Sequence, residues 1–209
     1  MGKRLKIAVA VLVVALVGVT AWRVTQPQDE PEPVYQGKKL SEWMKVYGAG
    51  DAIVAIQALT NANSAVRQAG TNAIPVFLRM LRAKDSPLKV KLVALAARQH
   101  IIKIQYKPAR FWNSTGSYGF RMLGSSAQSA VPALIKIVDE NISPVSQSCA
   151  IDALGVVGPA ATEAVPSLLR WATNANVQVR SSAMKAVCRI DPEAAHKAGI
   201  KITFPSAPD

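Results

Sequence analysis

Two histidines, two cysteines and scattered serines are the residues of this chain able to do metal, redox or nucleophilic chemistry. A metal centre needs three or four convergent ligands. His100 and His196 stand apart, with no His-x-x-x-His or His-Glu pair around either, so the sequence predicts no metal. A hydrolase serine sits on a sharp G-x-S-x-G turn, and none of the serines is so placed. His196 reads as a cation near a helix C-terminus and His100 as a surface or half-buried side chain. Asn113-Ser114-Thr115 and Asn141-Ile142-Ser143 are formal glycosylation acceptors. The expectation is a protein that binds rather than catalyses, without a cofactor.

Charge points to what is bound. The chain carries a formal net charge of +12. Between Arg79 and Arg121 ten basic residues face a single acid, Asp85. Arg79, Lys136 and Arg170 each stand four residues after a proline (Pro75, Pro132, Pro166) in three related segments, AIPVFLRML, AVPALIKIV and AVPSLLRWA. Stacking of these segments would align the three cations as a ladder. A second cluster, Lys107, Arg110, Phe111 and Trp112, mixes cations with aromatic rings that can anchor an interface. Both clusters suit a protein partner with an acidic surface or segment, an anionic glycan or lipid head groups. The alternative is a solvated basic surface.

The elements that must position these residues are helices. Ala150, Ala153, Leu154 and Val157 recur at i, i+3, i+4 and i+7, which places them on one helical face. Gly158-Pro159 ends that helix, and Val165, Leu168, Leu169 and Ala172 repeat the spacing with Pro166 in the first turn, where its missing N-H costs nothing. Thirty-three residues after Ala150 the pattern returns as Ala183, Ala186, Val187 and Ile190. An earlier pair is carried by Ala52, Ala55, Ile56 and Leu59, with Asp51 as cap, then by Ile74, Phe77, Leu78 and Leu81. The three prolines lie 57 and then 34 residues apart, so the first interval holds an insertion at about 82–117. It is expected to contain a long helix, started by Asp85-Ser86-Pro87 and reaching about Gln105, and a loop from Tyr106 to Ser117. The following helix would then begin near Tyr118. The same repeat maps Cys188 onto Gly155, six residues from Cys149, about 240° around a helix and ~9 Å along it. The two thiols therefore point apart and are expected as small buried or half-buried hydrophobes rather than a disulfide.

A-L-G, G-P, A-V-P-x-L-L and V-R-x-x-A, as they stand in ALGVVGPAATEAVPSLL and VQVRSSAMKAV, resemble the short HEAT-like repeats of phycobilisome lyase subunits. The likeness covers Gly119 to Ile190, is looser over Asp51 to Leu81 and is absent before Ser41. It implies an all-α fold, a right-handed α-solenoid of helix pairs presenting a concave surface to a protein partner. It does not imply one function, because such repeats also serve in lyases, hydroxylases and DNA glycosylases. A hydroxylase would need His-Glu motifs, which the chain lacks. A HEAT-like nucleic-acid-binding protein or glycosylase is the alternative to a scaffold, with Trp112 and Trp171 as stacking residues. Trp171 is matched by Ile137 and Met80 in the other segments, so packing explains it more simply.

The N-terminus opposes that alternative. Lys3, Arg4 and Lys6 precede an uncharged run from Ile7 to Ala21, so residues 1–23 read as a signal anchor held in the membrane through residues 5–22, or as a signal peptide cleaved after Ala21. About 16 helical residues span roughly 24 Å, short of a ~30 Å hydrocarbon layer but tolerable with thinning. Either way the remainder lies outside the cytosol, as a single-pass protein with an extracytoplasmic domain or as a secreted or periplasmic one, away from chromosomal DNA. Residues 24–37, rich in proline and acids, read as a solvated spacer. The repeat domain is expected over 38–198. Its first helix would be capped by Ser41, with Leu40, Trp43, Met44 and Tyr47 covering the end of the stack, and 199–209 would form a disordered tail.

Overall fold

A computed structural model describes residues 31–48, 52–98 and 106–200. The chain divides into two units, Met1–Glu32 and Pro33–Asp209, and the fold below is that of the second. The expected membrane or export segment, half of the spacer, Asp51, His100 and most of the tail lie outside the described residues. No described helix is long and apolar enough to cross a membrane.

The fold is all-α apart from one small hairpin. Strands β1 (Val34–Tyr35) and β2 (Lys38–Lys39) pair antiparallel, so part of the segment expected to be a spacer belongs to a hairpin. The hairpin is tied to the first helix, α1 (Leu40–Met44), by Leu40 N-H to Pro33 O at 2.9 Å and by the Trp43 indole N-H to Tyr35 O at 2.8 Å. Helix α1 starts one residue before Ser41, with Lys39 at the N-cap and no side-chain cap. Leu40 and Met44 are buried, and Trp43 and Tyr47 pack partly against the core, as a covering unit requires.

Helices α2 (Ala52–Ala69) and α3 (Ile74–Leu81) form the first pair. Helix α4 (Pro87–Arg98) follows. Then come α5 (Ala109–Leu123), α6 (Val131–Glu140), α7 (Pro144–Val157), α8 (Val165–Trp171), α9 (Val177–Ile190) and α10 (Pro192–Lys197). The junction inside each pair is built the same way three times. A glycine at positive φ (Gly70 +53°, Gly124 +56°, Gly158 +74°) ends the longer helix. A 3-10 turn follows, and a helix with proline in its first turn takes over. Only glycine enters that left-handed region without steric cost, which is why the three breaks fall where they do.

Helix α7 lies at the centre. It packs against α5, α6 and α9, and Ala150, Ile151, Ala153, Leu154 and Val157 are buried in it. Its polar first turns are buried too, and they close other helices. A helix leaves its last four carbonyls without partners. The Ser146 hydroxyl donates to Leu81 O at 2.6 Å, at the end of α3, and the Gln147 amide to Val138 O at 2.8 Å, near the end of α6. No buried side-chain nitrogen or oxygen among the described residues lacks a partner.

The insertion differs from its expectation. Residues 109–117 are not loop but the first two turns of α5, so the inserted stretch shrinks to 82–108. Residues of this stretch cap the helix and pack it against α3. Pro108 is the N-cap. Gly116 and Gly119 let α3 approach, since a Cβ on Gly116 would meet Phe77 O at 2.9 Å and one on Gly119 the Phe77 ring at 2.5 Å. Asn113 is buried, and its amide donates to Met80 O at 3.0 Å, Leu81 O at 2.8 Å and Ala83 O at 3.2 Å. A glycan therefore has no access to Asn113. Asp85 reaches beyond its own helix: its carboxylate accepts from Ala109 N-H at 2.9 Å, at the first turn of α5, and from the Tyr106 hydroxyl.

Candidate functional site

The predicted ladder residues take equivalent places on their helices. Arg79 on α3, Lys136 on α6 and Arg170 on α8 are all exposed. The row is not purely basic, however. Asp139 Oδ1 accepts from Arg170 Nη2 at 2.6 Å, from Ser167 Oγ at 3.0 Å and from the Trp171 indole at 3.2 Å. Glu140 pairs with Arg82 at 3.2 Å, joining α3 to α6. Asp139 thus neutralises one ladder cation, Arg170, and Glu140 neutralises Arg82 beside the row.

The second cluster is divided. Lys107, Arg110 and Phe111 line an open groove of about 680 Å³, together with Tyr47, Tyr106, Pro108, Ser114, Thr115, Tyr118 and Val145. Trp112 does not line it. Its ring packs partly against the core and meets Phe111 edge to face at 5.2 Å. None of the ladder residues lines the groove either, so the two predicted features do not share it.

Helix α5 organises the groove. Arg110, Ser114 and Tyr118 recur every four residues and are exposed along one face. Lys107 Nζ stands 4.3 Å over the Phe111 ring centroid, a cation-π contact that fixes the ammonium at the rim. At the other end the rings of Tyr47 and Tyr118 lie 4.3 Å apart and tilted by 40°. The Tyr47 hydroxyl donates to Asn63 Oδ1 and lies 3.4 Å from Met122 Sδ. Burial, with the neighbouring Tyr118 adding to it, pushes the Tyr47 phenol up to about 12. The hydrogen bond to Asp85 raises the Tyr106 phenol as well. Both therefore stay neutral at physiological pH. Among the described residues no carboxylate lines the groove, and Asp85 beside it is engaged by Tyr106 and Ala109.

The expected loop over 106–117 hides the alignment of Tyr118 with Arg110, and Tyr47 is expected only as a cover for the end of the stack. The signal lay in the spacing of Arg110, Ser114 and Tyr118, which puts them on one helical face.

The remaining candidates form no reaction centre. Both cysteines are free. Cys149 is buried, and burial with Asp152 nearby pushes its thiol up to about 11, against the opposing effects of Ser114 and Arg121. Cys188 is half-buried. His196 sits exposed in the last turn of α10. No three His, Cys, Asp or Glu side chains converge to hold a metal among the described residues. Comparison with protein-family models, with curated proteins and with solved structures gave no match.

Proposed function

We propose that the chain is a non-enzymatic scaffold built as a right-handed solenoid of HEAT-like helix pairs. An N-terminal segment holds it at, or exports it to, the extracytoplasmic side of a membrane, where it docks a protein partner through an acidic segment. The repeat reading is supported by the junction that recurs three times, glycine at positive φ, 3-10 turn, then proline-led helix. The observation that carries the docking reading is the groove along α5, where Lys107, Arg110 and Phe111 stand among tyrosines with no carboxylate among the described lining residues. It is a better docking site than the ladder, whose Arg170 is already paired with Asp139.

The test is cross-linking in native membranes, comparing wild type with the double variant Lys107→Glu, Arg110→Glu and with the ladder variant Arg79→Glu, Lys136→Glu, Arg170→Glu. The expected result is a cross-linked partner that disappears with the groove variant and with added salt, since exposed charges are screened beyond about 8 to 10 Å. Capture that survives both variants and high salt would overturn the reading.

A further inference from the structure

We infer that the α5 groove recognises one kind of segment: an extended, proline-containing stretch of a partner protein with acidic residues at one end. The inference rests on the scaffold reading and adds the conformation and sequence chemistry of what is bound.

Its first basis is the polarity of the groove. The cations Lys107 and Arg110 stand at the N-terminal end of α5, and the ring pair of Tyr47 and Tyr118 stands at the other. From Arg110 to Tyr118 the helix rises about 12 Å at 1.5 Å per residue. A polyproline-type chain rises about 3.1 Å per residue, so roughly four residues separate the acidic contact from the ring contact. The two ends ask for different chemistry, carboxylates at one and flat apolar rings such as prolyl rings at the other. Charge complementarity names the first: no ion pair within the described residues engages Arg110, and Lys107 has only the face of Phe111 beneath it.

The second basis is the hydroxyl lining. Tyr118 is 40% exposed, and among the described residues its hydroxyl makes no hydrogen bond, while its ring forms one wall of the groove. Such a hydroxyl is a donor for a carbonyl. A helix in its middle turns has spent its carbonyls internally, whereas a polyproline-type chain makes no internal hydrogen bonds and presents them all. Aromatic-lined grooves take proline-rich chains for this reason, and because the bound conformation is preformed and loses little entropy on docking. An acidic helix would satisfy Lys107 and Arg110 but would present no free backbone carbonyl to Tyr118.

Binding of fluorescein-labelled ten-residue peptides to the full chain in detergent, read by fluorescence anisotropy, tests this. Three probes are needed: one with glutamates in one half and prolines in the other, one with every proline replaced by alanine at the same charge, and one with every glutamate replaced by glutamine. The Glu/Pro probe is expected to bind at least ten times more tightly than either of the others. Arg110→Glu should remove most of that binding, and Tyr118→Ala should remove the advantage of proline over alanine while sparing the charge effect. If the Glu/Ala probe binds as well as the Glu/Pro probe, the extended-segment inference is wrong and the acidic-partner reading stands. If none of the probes binds, or Arg110→Glu changes nothing, the groove is not the docking site and both are wrong.

Discussion

Gly119 and Phe77 meet so closely that a Cβ on the glycine would lie 2.5 Å from the ring of the phenylalanine. Phe77 is fully buried and packs edge to face on Phe120 at 5.8 Å, so it has little freedom to retreat. Gly119→Ala should therefore destabilise the protein by about 1 to 3 kcal/mol through overpacking, although alanine is the better helix former. Thermal melts should show a loss of several degrees. Adding Phe77→Leu should recover part of it, because residues in contact couple in double-mutant cycles. An unchanged melt for Gly119→Ala would mean that α3 and α5 do not meet at this point.

A second prediction concerns the buried end of α3. Asn113 donates to three carbonyls there, and Asn113→Ala strands at least one of them at a cost of about 1 to 3 kcal/mol. Asn113→Asp should cost more at neutral pH, since it points a carboxylate at carbonyl oxygens. Those acceptors raise the folded-state pKa of the new acid above its unfolded value. The missing stability is thus present below the unfolded pKa and lost as pH rises through the folded one. Urea midpoints at pH 4 and pH 7 should show the aspartate variant gaining on the alanine variant in acid. A deficit independent of pH would contradict the placement of Asn113.

Helical class was legible in the sequence because the apolar residues of the regular pairs recur at helical spacing, and every one of Ala150, Ala153, Leu154 and Val157 is buried as that spacing requires. The break at Gly158 was legible for a local reason, and the structure repeats it at Gly70 and Gly124, where only glycine takes positive φ without cost. What was not legible is non-local. Asn113 and Gly116 carry loop propensities, and their helical conformation depends on α3, some thirty or more residues earlier, whose carbonyls and side chains they meet. Asp85 looked like the cap of the nearest helix, but its carboxylate reaches Ala109, twenty-four residues on. The basic ladder was read from one register of three segments, and the acids beside it, Asp139 and Glu140, lie on a different register of only one.

The alkaline limb of stability should be set partly by Cys149. Its thiol is pushed from 9.0 to about 11 by burial, so ionisation is harder in the folded state than in the unfolded one. The stability is complete below pH 9 and lost as pH rises towards 11, amounting to about 2 to 3 kcal/mol. Tyr47, pushed up to about 12, extends the same loss to higher pH. Cys149→Ala should flatten the decline between pH 9 and 11 in denaturant titrations. At pH 8 iodoacetamide should label Cys188 before Cys149. Equal labelling of the two thiols in native protein would show that Cys149 is not buried.

The last prediction separates binding from folding at the N-terminal end of α5. Trp112 was expected to act as an exposed anchor beside Arg110, yet its ring packs against the core and against Phe111. Trp112→Ala should therefore lower stability by about 2 kcal/mol, on the scale of losing a partly buried large side chain, and any loss of partner capture would follow from that. Arg110 is exposed and has no ion pair within the described residues, so Arg110→Glu should change stability by no more than about 0.5 kcal/mol. Far-UV circular dichroism melts paired with cross-linking distinguish the two. Arg110→Glu should melt like wild type and fail to capture an acidic partner, whereas Trp112→Ala should melt earlier and, below its transition, still capture. The reverse pattern, with Trp112→Ala stable but blind to the partner, would put the docking surface on the tryptophan and not in the groove.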